Sequence, residues 1–376
     1  MRWLRYLLWF ATSACLLGCA SQDVATETPQ PPRSLADQYG PELNPQPLSR
    51  SVTPLEPYLD LGILLFDPGV SDMDRSPQGA VRRLESKLLA RELRQVLVDS
   101  GEWGAVRILP EASYLTPVMI EAAIDYSDGR DLVVSVSASD ALNRVWFEET
   151  LRYRAHAAAV DAGAGASSAD FAPLFTHIHN ALHQYWSQQT SSDRLAVIRA
   201  ADIRYAQELA PEAFAGFLVE EAGQMRLARL PAANDPMLAR VDRIRRQDYL
   251  FCDTIDEQFV ALYEEVGPTY ALWRLSSAEQ ADWLEHYEAR VAAREAPSDA
   301  ARFATMQAQY SAYRSFRMQE QELYELADAF DGEVEPRVLE ADERVFTLTG
   351  TLTSQYAQWR EILAQIFRLE QEPGAL

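Results

Sequence analysis

Val118-Met-Ile-Glu-Ala-Ala-Ile-Asp-Tyr-Ser-Asp-Gly129 is followed, after Arg130, by Asp131-Leu-Val-Val-Ser-Val-Ser-Ala-Ser-Asp140. In the first stretch Val118, Ile120, Ala122 and Ile124 alternate with more polar neighbours. In the second, Leu132, Val134, Val136 and Ala138 alternate against Ser135, Ser137 and Ser139. A period of two puts each apolar set on one face of an extended strand, and Asp128-Gly129 supplies a tight hairpin turn. Beyond a second turn around Asn143, the residues Val145, Phe147, Leu151 and Tyr153 make a third strand. Together they predict an antiparallel meander with one buried face.

Working outward, Leu59-Asp-Leu-Gly-Ile-Leu-Leu-Phe66 stops at Asp67-Pro-Gly69 as a short buried strand would. Residues 77–99 then carry Val81, Leu84, Leu88, Leu89, Leu93, Val96 and Leu97 on one broad side, with Pro77 opening the helix and Ser100-Gly101 ending it. Residues 105–110 form a second brief strand. Past a small-residue loop at 162–168, a helix over 170–189 bears Phe171, Leu174, Phe175, Ile178, Leu182, Tyr185 and Trp186 at helical spacing. From Arg194 onward the pattern reads as helical, over 194–209, 236–247, 253–266 and 277–294, with Gly/Pro-bearing irregular segments between. Two long helices follow, 299–331 and 337–370, turning at Asp331-Gly332. Val345, Leu348, Leu352, Tyr356, Trp359, Leu363 and Ile366 are spaced like the seam of an antiparallel helical pair. The expected class is α+β. A small αβ domain with the meander occupies 58–190, and a larger all-α domain fills 191–376, ending in a helical hairpin over 299–370.

The other informative segment is the N-terminus. Arg2 and Arg5 precede the apolar run from Tyr6 to Cys15, and Leu16-Leu17-Gly18-Cys19 closes it, so 1–18 reads as a secretory signal. A spanning helix needs about 20 apolar residues, and the first acid is already at Asp23. Leu16, Leu17, Gly18 and Cys19 resemble the lipobox of bacterial lipoproteins. The resemblance implies cleavage before Cys19 and a lipid on that cysteine. With Ala20-Ser21 next rather than aspartate, it implies an outer-membrane location facing the periplasm in preference to the inner membrane. Residues 19–57 follow as a lipid-bearing cysteine and a tether. Pro29, Pro31, Pro32, Pro41, Pro45, Pro47, Pro54 and Pro57 fall among polar residues with no apolar period, the composition of a disordered spacer.

Three stretches carry a second resemblance: Leu61-Gly-Ile-Leu-Leu-Phe66, Asp131-Leu-Val-Val-Ser-Val136 and Asp140-Ala-Leu-Asn-Arg-Val-Trp-Phe147. In their order, behind a lipobox and a proline tether, they resemble the αβ domain of the curli-export and peptidoglycan-synthase-activator lipoprotein families. The match covers Tyr58 to Gln189, about a third of the chain. It implies a non-catalytic accessory or scaffold role in an envelope assembly, with an envelope protein as partner. The C-terminal half departs from those families.

The formal charge is −22, and losing Arg2 and Arg5 with the signal makes the remainder two units more negative. Such a body is repelled by nucleic-acid phosphate and by anionic lipid. Contact with the bilayer is therefore expected through the N-terminal lipid alone, and no nucleic acid is expected as a partner. With Cys15 removed and Cys19 lipidated, Cys252 remains as a single thiol that has no internal disulfide partner. Its reading is a small buried hydrophobe.

Candidate chemistry is sparse, and no cofactor is expected. His179 and His183 are four apart on the 170–189 helix and share a face, so both are placed to reach one metal. No glutamate follows His179, so the His-Glu-x-x-His arrangement is missing, and both border an apolar stripe where imidazoles ordinarily pack. A metal-dependent hydrolase of envelope polymers is the alternative they support. An oligomeric structural stalk is a third reading. Gly163-Ala-Gly-Ala-Ser-Ser168 lacks the lysine of a phosphate loop. The acids Asp328, Asp331, Glu333, Glu335, Glu340, Asp342 and Glu343 read as a solvated tip, since Ala327, Ala329 and Val338 occupy the ligand positions of a calcium loop.

Overall fold

The meander forms as the alternation requires. In the computed structural model, β3 (Val118–Ser127), β4 (Asp131–Asp140) and β5 (Val145–Arg154) pair antiparallel in sequence. The structure describes residues 34–292 apart from 72, 156–170 and 233, most positions between 306 and 326, and 337–370 apart from 342 and 343. Signal segment 1–18, including Leu16, Leu17 and Gly18, lies outside the described residues, as do Cys19, the tether up to residue 33 and the loop Gly163–Ser168.

Two aspartates shape the turns. Asp128 Oδ1 accepts from the backbone N–H of Arg130 (2.9 Å) and Asp131 (2.7 Å), while Gly129 takes φ +86°. Asp140 accepts from the N–H groups of Leu142 and Arg144 and from the Trp146 indole, so its motif is turn architecture. Beside β3 lies β1 (Leu61–Leu64), and beyond it β2 (Val106–Leu109), both parallel, for the order β2-β1-β3-β4-β5. Between β1 and β2 the chain crosses over through α2 (Pro77–Ser100). Ser76 caps that helix by accepting from Gly79 N–H, and Gly101 ends it in the left-handed conformation at φ +72°. α3 (Ala172–Ser187) buries Leu174, Phe175, Ile178, Leu182 and Trp186, most of the predicted stripe. The opposite sheet face is a shallow trough bearing Glu121, Ser135, Ser137, Glu148 and Thr150.

The segment ahead of β1 corrects the expectation of a disordered tether. From Ser34 to Pro57 it lies against the body as a strap. It begins in a short helix, α1 (Leu35–Tyr39), capped by Ser34. Leu43 N–H then donates to Arg152 O at 2.7 Å, and Leu43 and Leu55 join the core. Polar, proline-rich composition says nothing of docking when the partner groups lie from 49 to 138 residues away.

The C-terminal half is helical but carries strands the sequence reading did not anticipate. After α4 (Ser191–Leu209), β6 (Leu218–Glu221) and β7 (Gln224–Leu227) pair around Ala222-Gly223, both at positive φ, which is a type I′ turn. The three helices expected between 236 and 294 are one, α5 (Pro236–Ala292), about 85 Å long at 1.5 Å per residue. It carries Pro268 in its interior. Val266 and Tyr270, each 1% exposed, are packed on either side and hold the helix through the missing hydrogen bond.

Helix α6 is helical at its described positions between 306 and 326. The helical hairpin over 299–370 is overturned: β8 (Arg337–Ala341) and β9 (Arg344–Leu348) pair antiparallel where its second arm should begin. The β-branched Val338, Val345 and Thr347 favour extended backbone, and Gly350 at φ +97° breaks any helix there. Thr351 then caps α7 (Leu352–Leu369), whose buried Tyr356, Trp359, Leu363 and Ile366 are the second half of the predicted seam. Tyr356 packs on Phe251 of α5 with ring centroids 5.2 Å apart.

The architecture is α+β, with a mixed five-stranded sheet and a long helix. Buried side chains from Leu59 to Phe367 belong to one hydrophobic cluster. No helix among the described residues is long and apolar enough to cross a membrane.

Candidate functional site

The two candidate histidines do come together on α3, with ring centroids 5.8 Å apart. What they hold is the strap. His179 is fully buried, and its Nδ1 accepts from the Trp103 indole N–H at 3.1 Å, while its Nε2 lies 2.9 Å from Ser49 O. An indole only donates and a carbonyl only accepts, so the ring is the neutral Nε2–H tautomer with both nitrogens committed. Burial pushes its pKa below the ordinary 6.5, which agrees. His183 Nε2 meets Ser51 Oγ at 2.8 Å, and Glu102 accepts from Ser51 N–H at 2.9 Å. Between them Asn180 accepts from Ser49 N–H (2.8 Å) and donates to Pro47 O (3.0 Å). Arg194 donates to Glu56 O at the strap's far end. A metal at His179 Nδ1 would have to displace the Trp103 indole. Among the described residues no cluster of three or more histidine, cysteine or carboxylate side chains is arranged to hold a metal ion.

Other buried polar groups join elements. Asp248 of α5 accepts from Tyr205 of α4 (3.0 Å) and Arg360 of α7 (2.5 Å), and Arg360 also bonds Glu208. Asp256 takes Arg94 of α2 at 2.9 Å and the N–H of Ile108 in β2 at 3.1 Å, fastening α5 along the sheet edge. Burial outweighs those partners and pushes the Asp256 carboxyl up to about 6. Cys252 is wholly buried, and burial raises its thiol well above 9.0, so it is a packing residue with no thiolate to offer. Of the acidic tip only Glu340 lies among the described residues, in β8.

The site that sequence reasoning missed is a cavity of about 900 Å³ where the β3–β4 hairpin meets α1, α2 and α5. Arg82, Arg130, Arg152 and Arg154 line it together with Glu85 and Trp273. The arginines come from α2, the β3–β4 turn and β5, up to 72 positions apart, so no local motif announces them. Asp131, with no exposed surface, is shared by Arg130 Nε (3.1 Å), Arg152 Nη2 (3.4 Å) and Arg154 Nε (3.1 Å). Glu85 Oε1 accepts from Ser127 (2.7 Å) and Tyr270 (2.9 Å), and burial pushes its carboxyl above the ordinary 4.5. Arg274 Nε donates to Gly129 O at 3.2 Å, and a Cβ on Gly129 would stand 2.6 Å from Ser277 Cβ. Only glycine lets α5 approach the hairpin this closely.

Comparison with protein-family models, curated proteins and solved structures finds no match to this chain.

Proposed function

We propose that this chain is a lipid-anchored accessory protein of the bacterial envelope, facing the periplasm and acting by binding rather than by chemistry. In this reading residues 58–190 are the binding body, and 191–376 form a buttress along its sheet edge. The observation that carries it is the strap. With Ser34 onward laid on the body, only residues 20–33 separate the docked chain from Cys19. Fifteen steps at full extension reach about 50 Å, against about 130 Å for a free tether running to Pro57. A lipidated Cys19 therefore confines the body to a thin layer beside its membrane, the placement an envelope-protein partner requires. The metal-hydrolase alternative needs imidazole nitrogens that Trp103 and the strap engage.

The test combines lipid labelling with a photo-crosslinker at Glu148, on the exposed sheet face. The wild-type chain is expected to take up lipid and capture a discrete envelope protein, and Cys19→Ser to lose both. Lipid retained in Cys19→Ser, or an unchanged crosslinking pattern, overturns the reading.

A further inference from the structure

We infer that the groove beneath the strap, between α3 and the α2–β2 turn, is a peptide site read through the main chain, and that a second copy of this chain fills it by exchanging straps. Asn180 accepts from Ser49 N–H at 2.8 Å and donates to Pro47 O at 3.0 Å, so one side-chain amide serves the strap as a neighbouring strand would. His179 donates from Nε2 to Ser49 O at 2.9 Å, and Glu102 accepts from Ser51 N–H at 2.9 Å. Main-chain groups of residues 47, 49 and 51 are thus met by side chains of the body. The alternation is that of an extended chain presenting every second residue to one side. Ser51 Oγ adds a side-chain bond to His183 at 2.8 Å. Main-chain bonds of this kind give a peptide its affinity whatever its side chains are.

The strap's own side chains carry little of the docking. None of the residues from Ser34 to Pro57 is fully buried, and Gln46, Arg50 and Val52 are exposed. Leu43 and Leu55, which pack on the core, lie outside the clamped stretch. A segment held this way opens at the low end of the stability range, since water replaces each bond it gives up. The strap of a second copy makes every contact that the first one makes, so exchange requires no new recognition. Val52, Thr53 and Pro54 are exposed and form the hinge. Eight steps separate Ser51 from Leu59, which is fully buried at the head of the body, and they reach about 27 Å at full extension. Two bodies that trade straps therefore lie side by side about a two-fold axis. Both straps stay seated after the trade, so the reach from Cys19 is unchanged.

The site stands whether or not Cys19 carries lipid, so its test uses the full-length protein in detergent. The first arm offers the peptide acetyl-Asn-Pro-Gln-Pro-Leu-Ser-Arg-Ser-Val-amide, residues 44–52, to the double variant Ser49→Pro/Ser51→Pro, whose own strap lacks both N–H groups. A strap in cis competes at a millimolar effective concentration, so the free peptide should bind this variant at about 1 mM and wild type at least about tenfold more weakly. N-methylation of the peptide at Ser49 and Ser51 should abolish binding. Alanine in place of Gln46, Leu48 and Arg50 should leave it within about threefold, because the main chain is what is read. Adding Asn180→Leu to the variant should weaken binding by about tenfold or more, the size of two lost bonds. The second arm leaves the clamped residues intact. Copies carrying a photo-crosslinker at Leu48 are mixed with isotope-labelled copies at about 0.5 mM, where a second strap competes with the first. Crosslinks from Leu48 of one copy to α3 of the other should appear and increase with protein concentration. The proposal falls if the peptide does not bind below about 5 mM, or if its N-methylated form binds as well. It falls equally if Leu48 reaches α3 only within its own copy.

Discussion

Replacing His179 by leucine removes the pin between strap and body while keeping an apolar side chain of similar bulk. Two groups lose their partner. The Trp103 indole N–H is left unpaired in a residue 7% exposed, which costs about 1–3 kcal/mol. The Ser49 carbonyl sits on a half-buried strap and can turn to water, so its loss is nearer the net value of a bond, about 1 kcal/mol. Added apolar contact from leucine returns up to about 1 kcal/mol. The expected loss is therefore about 1–4 kcal/mol at neutral pH, measured as a lower urea midpoint at unchanged slope. His179→Gln retains one donor and one acceptor and should lose about 1 kcal/mol or less. Hydrogen exchange at Ser49 and Ser51 locates the effect: both amides should lose protection in the leucine variant before the sheet does.

The pH dependence gives a second handle on the same residue. The folded pKa of His179 lies below its ordinary 6.5, so the unfolded chain takes up the proton first. The stability that neutral His179 supplies is complete above about pH 6.5 and is lost as pH falls through the folded value, at up to about 1.4 kcal/mol per pH unit. The wild-type advantage over His179→Leu should therefore shrink on acidification. A leucine variant within about 0.5 kcal/mol of wild type, or a gap that widens in acid, would refute the assignment of His179 as a neutral buried clamp.

Asp131→Asn leaves Arg130, Arg152 and Arg154 without the buried charge they share. A loss of about 3 kcal/mol is expected from chemical denaturation, and a loss under about 1 kcal/mol would show that the arginines find other counter-charges. Glu85→Gln tests the raised carboxyl. Its folded pKa exceeds its unfolded one, so its contribution is present below the ordinary 4.5 and lost as pH rises through the folded value. The glutamine variant should accordingly gain on wild type as pH rises above the ordinary 4.5, and parallel stability curves would contradict the shift.

How much of this was legible depends on the range over which each signal acts. The period-two alternation from Val118 to Tyr153, the turn residues Asp128, Gly129 and Asn143, and the stop at Ser100-Gly101 are local. The sheet and α2 follow them to within a residue or two. The stripe over 170–189 likewise became the buried side of α3, and the spacing of His179 and His183 placed them on one face. Their chemistry was not legible, because Trp103, Ser49 and Ser51 are 76 to 132 positions away. The second half was read less well for a related reason. Two local interruptions looked like helix ends, yet burial of Val266 and Tyr270 on the common core carries α5 through Pro268. At 337–348 a spacing compatible with a helical seam lost to β-branched residues and Gly350, whose extended preference the hairpin satisfies.

The sequence by itself determined the sheet's strands, their turns, the helices that cover one face, the acidic surface and the lipobox expectation at Cys19. Each is written in neighbours a few residues apart, where steric preference and hydrophobic period act. Tertiary structure alone decided that Ser34 to Pro57 is a strap, that α5 is one helix, and that Arg82, Arg152, Trp273 and Ser277 share a cavity. Those outcomes depend on which distant surfaces bury each other's apolar area and which donors are then left facing inward. No period in the chain encodes that, because the energy of desolvating a donor is set only once its surroundings have assembled.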